Sequence, residues 1–368
     1  MVGERPRVLH VVRQWGVPSE GFVRDLIDGS RATTDAIVRV KAQLDPTAPP
    51  GVRPVWPWAE WSQPAGVADR LHGASLAGLI LRRRVDLVHC HFFSWSMLGA
   101  RAADVTHRPW VVSLHGRDVL AEASAAEVQR GLARAAAVIV PSPFLVEALR
   151  GRGVPTDRME VIPSGVDVDH TPFRVRTATD RPTVAFVGRF VEKKGVLDAV
   201  AAFASVRDAG LDVEARLVGY GPLEGDVRAA VAAAGIEAVV VDGRIPGTAA
   251  REIARADIVV TPSRTGADGD AETLCLVNLE AQASGALVVS TEHGGIPSGA
   301  SDDATLVPEG DREALGQALV ARLSDPTDWE RRSRTGRRFV EQRFRVQDRV
   351  ADVEALYRRV LASARSTG

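Results

Sequence analysis

The stretch TVAFVGRFVEKKGVLDAV, residues 183–200, contains the pattern from which the fold can be predicted. A short apolar run over 183–188 is followed by a loop with glycine and charged residues, and then by residues of helical period. Similar valine-rich runs recur along the chain and alternate with longer stretches rich in alanine and arginine. They cover residues 7–12, 36–40, 85–91, 109–114, 136–142 and 159–163 in the first half, and 213–219, 238–243, 257–263 and 286–291 in the second.

Continuous apolar runs separated by helices are typical of parallel strands that are covered on both faces. The sequence therefore predicts an α/β fold with two doubly wound, Rossmann-like domains that face each other across a cleft. The polar stretch over 164–182 has no period and is bracketed by proline, which favours a linker. We expect a first domain over 1–166, a linker over 167–182 and a second domain over 183–345, with a C-terminal helix at about 346–364 that packs back on the first domain.

The composition restricts the class of protein. Of the 368 residues, 45% are hydrophobic and 25% are charged, which is ordinary for a globular chain of about two domains. The net charge of −1 gives no electrostatic reason to expect binding to nucleic acid or to an anionic bilayer. No segment reaches about 18 uninterrupted apolar residues, and residues 1–13 lack the layout of a signal peptide. We therefore expect no transmembrane segment, while a peripheral membrane contact stays open. Because the only cysteines are Cys90 and Cys275, we also expect a protein of the reducing cytoplasm.

Lysine is rare in this chain. Lys41, Lys193 and Lys194 are the only lysines, and the other 43 of the 46 basic side chains are arginines, which indicates a GC-rich bacterial genome. Two of the three lysines stand side by side in the loop after the strand predicted at 183–188, together with Arg189. Ligands bind at the carboxyl ends of strands in such folds, so we predict that Arg189 and Lys194 bind an anion there. Lys193 is interpreted as a surface residue.

Two further loops follow strands of the second half. GYGPLEG, residues 219–225, begins with Gly219 and permits a tight turn, but its glycines are spaced one residue too far apart for a dinucleotide fingerprint. TPSRTGADGDAET, residues 261–273, carries Glu272 to the same edge of the predicted sheet. Glu280 follows eight residues later in an apolar context, and a carboxylate in such a context needs a partner.

A helix is predicted to begin near Thr273, with Glu272 at its cap and Glu280 two turns inside, and to end at Gly285. The two carboxylates would then lie about 80° apart around the helix, with roughly 12 Å of rise between them. The free N–H groups of the first turn form a site for phosphate, and they belong to Thr273, Leu274, Cys275 and Leu276. A ligand with a polyol, a diphosphate and a second polyol fits this arrangement, so a nucleotide sugar is the expected substrate.

Several motifs together resemble glycosyltransferase family four, a family of retaining enzymes with the GT-B fold. The two glutamates form the pattern E-x7-E, which is preceded by VGRFVEKKG and followed by HGGIP. The order and spacing of the motifs are closest to the exopolysaccharide and colanic-acid-type branch. The other motifs that carry the resemblance are SEGFVRDL (19–26), SLHGRD (113–118) and VIPSGVD (161–167).

The resemblance implies roles for individual residues. Arg189 and Lys194 would hold the donor diphosphate, and Glu280 would bind the ribose hydroxyls. Glu272 and His115 would contact the transferred sugar. The glycine turns at Gly16 and Gly219 would complete the donor site.

The chain also departs from the family pattern. Thr273 and Cys275 stand where the family commonly has glycine and then proline or glycine, and Ser298 stands where it has a glutamate after GGIP. The glycine-rich turn after the first strand is reduced to Gly16 and Gly21. Thr273 crowds the sugar pocket, so the donor sugar cannot be inherited from the family, whereas the backbone groups that bind phosphate remain.

The acceptor is expected on the first domain. The side chains predicted to line its site are Trp15, Glu20, His91 and Asp118. The nearby segment PVWPWAEWSQP has three tryptophans, Trp56, Trp58 and Trp61, and two interpretations are open. The indole rings either pack in a core or at a surface, or they form a platform on which acceptor sugars lie.

Two patterns are reminiscent of metal sites, and neither supports one. Asp268 and Asp270 form a D-x-D in a polar loop, where solvated carboxylates are the simpler interpretation. His89 and His91 share one face of a strand, while Cys90 points away and no fourth ligand is evident. We therefore predict no metal and no cofactor, with the nucleotide sugar as a co-substrate.

The sequence thus predicts a retaining, metal-independent glycosyltransferase of the hexosyltransferase type. The donor is expected to be a nucleotide-diphospho-sugar, with UDP as the family's commonest choice, and the acceptor a polysaccharide, a glycolipid or a specialised metabolite such as an antibiotic precursor. Two alternatives stay open at this point. One is a UDP-sugar 2-epimerase of the same two-domain layout, and the other is a protein that binds a nucleotide sugar without turning it over.

Overall fold

The computed structural model describes residues 5–12, 20–30, 34–39, 52–54 and 65–366. Trp15, Gly16 and the segment with Trp56, Trp58 and Trp61 lie outside these residues, so the roles given to them stay predictions. The chain divides into two compact units, of which the first comprises Met1–Gly165 with Val346–Gly368 and the second Val166–Arg345. No helix within the described ranges combines the length and the apolar character needed to cross a membrane.

The first unit is built around one parallel sheet. Its strands are β1 (Val8–Val12), β2 (Thr34–Arg39), β3 (Val52–Pro54), β4 (Leu87–His91), β5 (Trp110–Ser113), β6 (Ala137–Val140) and β7 (Met159–Val161). They are arranged in the order β3-β2-β1-β4-β5-β6-β7, and each neighbouring pair is parallel. The helices between them are α1 (Gly21–Gly29), α2 (Ala65–Arg83), α3 (Phe93–Val105), α4 (Arg117–Leu120), α5 (Ala125–Leu132) and α6 (Pro143–Gly151).

The second unit repeats this design. Its strands are β8 (Thr183–Val187), β9 (Glu214–Gly219), β10 (Ala238–Asp242), β11 (Ile258–Thr261), β12 (Leu287–Thr291) and β13 (Thr305–Val307). They form a parallel sheet in the order β10-β9-β8-β11-β12-β13. The helices are α7 (Val196–Asp208), α8 (Glu224–Ala234), α9 (Thr248–Arg255), α10 (Leu276–Ser284), α11 (Arg312–Ser324) and α12 (Trp329–Arg343).

The central strand β8 shows why its run is apolar throughout. Val184 and Phe186 pack with side chains of α7 and α11 on one face of the sheet. Ala185 and Val187 pack with Ile253 of α9 and other small side chains on the opposite face. Because both faces of a parallel sheet are covered, every position of the strand is buried, and the run loses the alternation of a half-exposed strand. The predicted α/β, doubly wound architecture is therefore confirmed in each unit.

The last helix of the chain, α13 (Val346–Ser366), belongs to the first unit. Val353, Leu356 and Tyr357 on this helix are buried against the sheet of that unit, in one cluster with Val8 and Val111. The hydroxyl of Tyr357 also forms a hydrogen bond of 2.5 Å with Nδ1 of His89 in β4. A C-terminal segment therefore completes the hydrophobic core of the N-terminal sheet.

The polar segment that we interpreted as a linker, 167–182, belongs to the second unit. The side chain of Arg176 is fully buried, and its Nε and Nη2 donate to the carbonyl oxygens of Ala256 and Ala254 at 2.9 Å and 2.8 Å. Asp257 lies 3.7 Å from the same guanidinium group. Arg176 thus holds the segment by binding backbone oxygens, and a sequence without period does not distinguish such a buried arginine from a residue of a solvated linker.

In each sheet the strand order reverses between two central strands, β1 and β4 in the first unit and β8 and β11 in the second. The loops after two such strands run to opposite faces of the sheet. A crevice therefore opens at the carboxyl ends of these strands, where ligands of open α/β sheets bind. In the second unit these loops are residues 188–195 and 262–275. Both contain residues that the sequence singles out.

Candidate functional site

The loops after β8 and β11 contact each other through a glycine. Gly195 has a φ of +63°, and a Cβ atom there would lie 1.9 Å from the carbonyl oxygen of Pro262. The backbone N–H of Arg264 also donates to the carbonyl oxygen of Lys193 at 2.8 Å. Only glycine permits both the backbone conformation and the close approach, so Gly195 fixes the position of the lysine that precedes it.

Lys194 forms a buried ion pair with Glu272. Its Nζ lies 2.6 Å from Oε1 of the carboxylate, and the two side chains are 20% and 7% exposed. Burial opposes the ionisation of Glu272, but the charges of Lys194 and Lys193 outweigh it and lower the pKa of Glu272 to about 2. Burial also opposes the charge on Lys194, and the facing carboxylate raises the pKa of this lysine above its usual value. Both groups are therefore charged in a site with little water.

Lys193 and Asp270 are not the solvated residues that we predicted. Nζ of Lys193 lies 3.0 Å from Oδ1 of Asp270, and these side chains are only 13% and 2% exposed. Asp268, by contrast, is exposed and accepts the backbone N–H of Asp270. The loop therefore presents one of its two aspartates to the lysine pair. The carboxylate of Asp270 offsets the ammonium charge of Lys193, as that of Glu272 does for Lys194. The D-x-D spacing in the sequence does not reveal this pairing.

The other predicted cation, Arg189, is exposed near the beginning of the loop after β8, and its positive charge acts on Lys194. Gly219 stands at the end of the neighbouring strand β9, where a Cβ atom would lie 1.9 Å from the carbonyl oxygen of Gly188. The two glycines bring the ends of β8 and β9 into backbone contact. Arg189, Lys194 and Gly219 thus lie at one edge of the second sheet, as the sequence predicts.

The helix that follows Glu272 begins later than predicted. Its N-cap is Cys275 and α10 runs over Leu276–Ser284, so Glu272 lies in the preceding loop and is not the cap. The separation of about 80° and roughly 12 Å was calculated for Glu272 and Glu280 on one helix, so it does not describe their positions in the structure. Gly285 ends the helix with a φ of +87°, as predicted.

The approach to the helix is buried. Thr273, Leu274 and Cys275 lie in this approach and are buried, whereas Leu276 and Glu280 are partly exposed on α10. Burial raises the pKa of the Cys275 thiol to about 11, so this cysteine is a neutral group at the helix end. The N–H groups in the first turn of an α-helix lack the usual acceptor four residues earlier, which makes the start of α10 at Leu276 a candidate site for an anion.

The HGG segment of the sequence holds the backbone of Glu272, a role that the sequence does not reveal. Nε2 of His293 accepts the N–H of Glu272 at 3.1 Å, and the N–H of Gly295 donates to the carbonyl oxygen of Glu272 at 2.7 Å. A Cβ atom at Gly294, which has a φ of +56°, would lie 2.2 Å from that oxygen. The peptide group on each side of Glu272 is thus fixed by residues more than twenty positions later in the chain.

His115, predicted for the transferred sugar, and the described residues predicted for the acceptor lie in the first unit. The ring of His115 packs at a tilt against Phe92 and Phe22, with ring centroids 4.3 Å and 4.9 Å away, and burial lowers its pKa to about 3. Asp118 accepts the backbone N–H groups of Phe93 at 2.6 Å and His115 at 3.2 Å. Burial raises the pKa of Asp118 to about 6 despite these hydrogen bonds. This aspartate orients the histidine loop, and its predicted role towards the acceptor stays a prediction.

Glu20 and His91 have different environments. Glu20 lies at the N-cap position of α1 and is partly exposed, and its side chain makes no capping hydrogen bond. His91 is fully buried at the end of β4 and stacks with His115 at 6.4 Å between ring centroids. His115, Asp118 and His91 therefore form one group at the carboxyl edge of the first sheet.

A cluster of buried imidazoles continues from His91 into this unit. Within the described residues, His10, His89 and His91 are the group whose ligand atoms could reach one metal ion, all within 4.8 Å of one another. Nδ1 of His10 lies 3.2 Å from Nε2 of His91, while both nitrogens of His89 contact hydroxyls of Tyr357 and Ser113. The outer nitrogens of His10 and His91 find no acceptor among the described residues, and the cluster contains no carboxylate. The contacts of His89 with two hydroxyls and of His10 with His91 join the three imidazoles in one hydrogen-bonded cluster, and the absence of a metal there stays a prediction.

The sequence of each unit matches a model of a known family. Residues 181–325 match glycosyl transferases group 1, and residues 32–170 match glycosyltransferase family 4. The chain belongs to the group 1, family 4 glycosyltransferases. The fold that its two sheets represent is accordingly GT-B, and the resemblance seen in the motifs is confirmed.

Curated relatives of this glycosyltransferase come from several bacteria. The amylovoran biosynthesis glycosyltransferase AmsK of Erwinia amylovora is 31% identical over 65% of this chain and 61% of its own length. The putative colanic acid biosynthesis glycosyltransferase WcaL of Escherichia coli is 35% identical over 49% of this chain and 46% of its own. The 2-deoxystreptamine glucosyltransferase of Streptomyces kanamyceticus is 28% identical over 77% and 81%. The chain thus spans about half to three-fifths of the length of the first two relatives.

Solved structures support the fold assignment of this glycosyltransferase. HepE of Anabaena in complex with UDP has a TM-score of 0.78 over 95% of this chain and 99% of its own, with 18% identity. Sucrose-phosphate synthase of Thermosynechococcus elongatus has a TM-score of 0.77 over 97% of this chain and 100% of its own, with 22% identity. At such identities the likeness concerns the fold and not the substrates.

Proposed function

We propose that this chain transfers a hexose from a nucleotide-diphospho-sugar to an acceptor hydroxyl, with retention of the anomeric configuration and without a metal ion. The observation that carries the proposal is the buried pair of Lys194 and Glu272 at the strand-order reversal of the second sheet. A lysine and a carboxylate that are both charged there provide groups for a phosphate and for a sugar hydroxyl. Arg189 and the N-terminus of α10 add positive charge at the same edge.

In the proposed reaction the bond between the anomeric carbon and the diphosphate oxygen breaks, and a bond to the acceptor oxygen forms. Negative charge accumulates on the leaving diphosphate. This charge is stabilised by the fixed cations Lys194 and Arg189 and by the N–H groups at the start of α10. In other enzymes a divalent metal ion stabilises the same charge. Loss of one preorganised group of this kind typically lowers the rate about 10²–10³-fold.

The acceptor proton passes to an oxygen of the leaving phosphate in this proposal. Attack then comes from the face from which the leaving group departs, so the configuration is kept. Glu272 binds a hydroxyl of the transferred sugar and Glu280 binds the ribose, roles that match the family pattern at these positions. His115 of the first unit, held by Asp118, also serves the transferred sugar.

The donor base and the location of the enzyme are further parts of the proposal. UDP is supported by HepE, a protein of similar fold that was solved with UDP and with UDP-glucose. The acceptor is a carbohydrate or a small molecule, in keeping with relatives named for exopolysaccharide and aminocyclitol products. Cys90 and Cys275 are both buried and not joined in a disulfide, which fits the reducing cytoplasm that we propose for the reaction.

The decisive experiment begins with a thermal-shift screen over UDP, GDP, ADP and dTDP. Sugar derivatives of the nucleotide that stabilises the protein most are then incubated with candidate acceptors. A ligand at 100 times its Kd should add about 2.7 kcal/mol of stability. Release of the nucleoside diphosphate only when an acceptor is present supports a transferase. Conversion of UDP-N-acetylhexosamine without acceptor would instead identify a 2-epimerase, and binding without any turnover would identify a binding protein.

A further inference from the structure

Lys194 is the last residue of a short 3₁₀ turn, Glu192–Lys194, between β8 and α7. The turn is closed by Gly195, whose backbone N–H donates to the carbonyl oxygen of Glu192 at 2.9 Å. Lysine has a flexible four-carbon stem, so the position of its ammonium group depends on the backbone that carries it. The contacts that hold this turn therefore affect the role that we assign to Lys194.

Arg264, in the loop after β11, contacts the turn twice. Its backbone N–H donates to the carbonyl oxygen of Lys193 at 2.8 Å. Its Nη2 donates to Oε1 of Glu192 at 3.2 Å. These hydrogen bonds tie the two residues before Lys194 to the loop that also contains Glu272.

Asp198 holds the residue on the other side of Lys194. It lies in the first turn of α7, and its backbone N–H donates to the carbonyl oxygen of Gly195 at 2.9 Å. Its carboxylate is buried and lies between two arginines. Nη1 of Arg264 is 3.8 Å from Oδ2, and Nε of Arg312, at the start of α11, donates to Oδ1. Asp198 and Arg264 thus hold the neighbours of Lys194 in the chain and pair with each other.

The ion pair between Arg264 and Glu192 is partly open to water. The two side chains are 33% and 52% exposed, so the pair contributes little to the stability of the fold. The position of a reacting group is far more sensitive, because a misplacement of about 1 Å can lower the rate about 10²-fold. We therefore expect Arg264 to matter more for the place of the ammonium group than for folding.

We infer that Arg264, held by Asp198, is a positioning residue that keeps the ammonium group of Lys194 at the donor diphosphate. The inference rests on the proposed function, because it deepens the role given there to Lys194. Arg264 acts through the backbone of residues 192–193 and is not itself assigned to the donor. Its replacement should therefore weaken binding of the diphosphate and leave binding of the nucleoside unchanged.

The test is calorimetric titration of the full chain with UDP, with uridine measured by competition against UDP. The variants are Arg264→Gln and Asp198→Asn, each alone and combined with Lys194→Ala. Arg312→Gln is the matched control for the arginine, because it removes the other partner of the same carboxylate.

Asp257→Asn is the matched control for the aspartate. Asp257 is also buried between two arginines, Arg174 and Arg176, but it directly precedes β11 and so lies at the opposite edge of the sheet. Urea unfolding of every variant reports the stability separately.

We expect Arg264→Gln and Asp198→Asn each to weaken UDP binding about tenfold and to leave uridine binding unchanged. Neither should weaken UDP binding further in the Lys194→Ala background, because an effect that passes through the ammonium group disappears with it. Both controls should keep the wild-type affinities, whatever their stability.

Unchanged UDP affinity in Arg264→Gln would overturn the inference, while UDP binding by wild type would still support the proposed function. An equal loss in Arg312→Gln, or a further loss when Arg264→Gln is added to Lys194→Ala, would also overturn it in favour of a general structural effect. Failure of wild type to bind UDP would count against the proposed donor, and with it against the role of Lys194.

Discussion

Nε2 of His293 accepts the backbone N–H of Glu272, and Nδ1 of the same ring lies 2.8 Å from Oε2 of Glu309. Both contacts are satisfied when the imidazole is neutral with its proton on Nδ1. Glu309 is itself fixed by the backbone N–H of Thr265, 2.5 Å from its other oxygen. The carboxylate that faces Lys194 is therefore positioned through its own backbone by a histidine and a second glutamate.

Replacement of this histidine should weaken the donor site. In His293→Ala the N–H of Glu272 loses its acceptor in a buried place, and we expect kcat/KM for the donor to fall roughly tenfold or more. In His293→Gln the amide oxygen can accept the same N–H, so part of the activity should return. Steady-state kinetics with both variants checks this, with circular dichroism as the control for folding. Equal activity of the two variants would show that the hydrogen bond to Glu272 has no role.

The two neighbouring lysines should differ in their effect on activity. Lys194→Ala removes a charge that we assign to the leaving diphosphate, so kcat at saturating donor should fall about 10²–10³-fold. Lys194→Arg keeps the charge in a broader, planar group and should retain measurable activity. Lys193→Ala leaves Asp270 without its ammonium partner and should mainly lower the melting temperature. Full activity of Lys194→Ala would refute the role of this lysine.

Glu280 should act on binding and not on the chemical step. It is partly exposed on α10, four residues after the first helical residue, and we assign it to the ribose hydroxyls. Glu280→Ala should raise KM for the donor with kcat nearly unchanged, since these hydroxyls are far from the bond that breaks. The matching measurement is the Kd of UDP, which should rise by a similar factor. A large fall in kcat at constant KM would move Glu280 to the reacting centre.

Stability at acid pH should report on Glu272. Its pKa is lowered from 4.5 to about 2 in the folded chain, so its ionised form stabilises the fold above about pH 4.5. This contribution is lost as the pH falls towards 2. Urea unfolding of wild type and Glu272→Gln from pH 3 to 7 tests the effect. The stability difference should shrink below about pH 4.5 and stay constant above it. A difference that does not change over this range would contradict the ion pair.

The stereochemistry of the product tests the mechanism apart from the binding residues. An inverting reaction needs a general base at the acceptor hydroxyl, whereas the reaction that we propose relies on stabilisation of the leaving diphosphate by Lys194 and Arg189. Proton NMR of the early product from an α-linked donor should therefore show an α-glycoside, and EDTA should leave the rate unchanged. A β-linked product would refute the proposed mechanism even if every binding residue were confirmed.

The parallel sheets and the position of the donor loops could be predicted because their signals are local. Each apolar run had to be a strand covered on both faces, and the loop with Arg189 and Lys194 followed one of them directly. The exact start of α10 could not be predicted in this way. Thr273 and Leu274 are acceptable in a helix, but they are buried in the approach to Cys275, and the backbone of Glu272 before them is bound by His293 and Gly295.

What the sequence by itself determined was the order of strands and helices, the family pattern and the residue types at the strand ends. Only the tertiary structure decided which charges and hydrogen bonds meet. Lys193 meets Asp270 across 77 residues, His293 meets Glu272 across 21, and His89 meets Tyr357 across 268. Such pairs have no period or spacing in the sequence, because they depend on how the loops and helices pack after the sheets have formed.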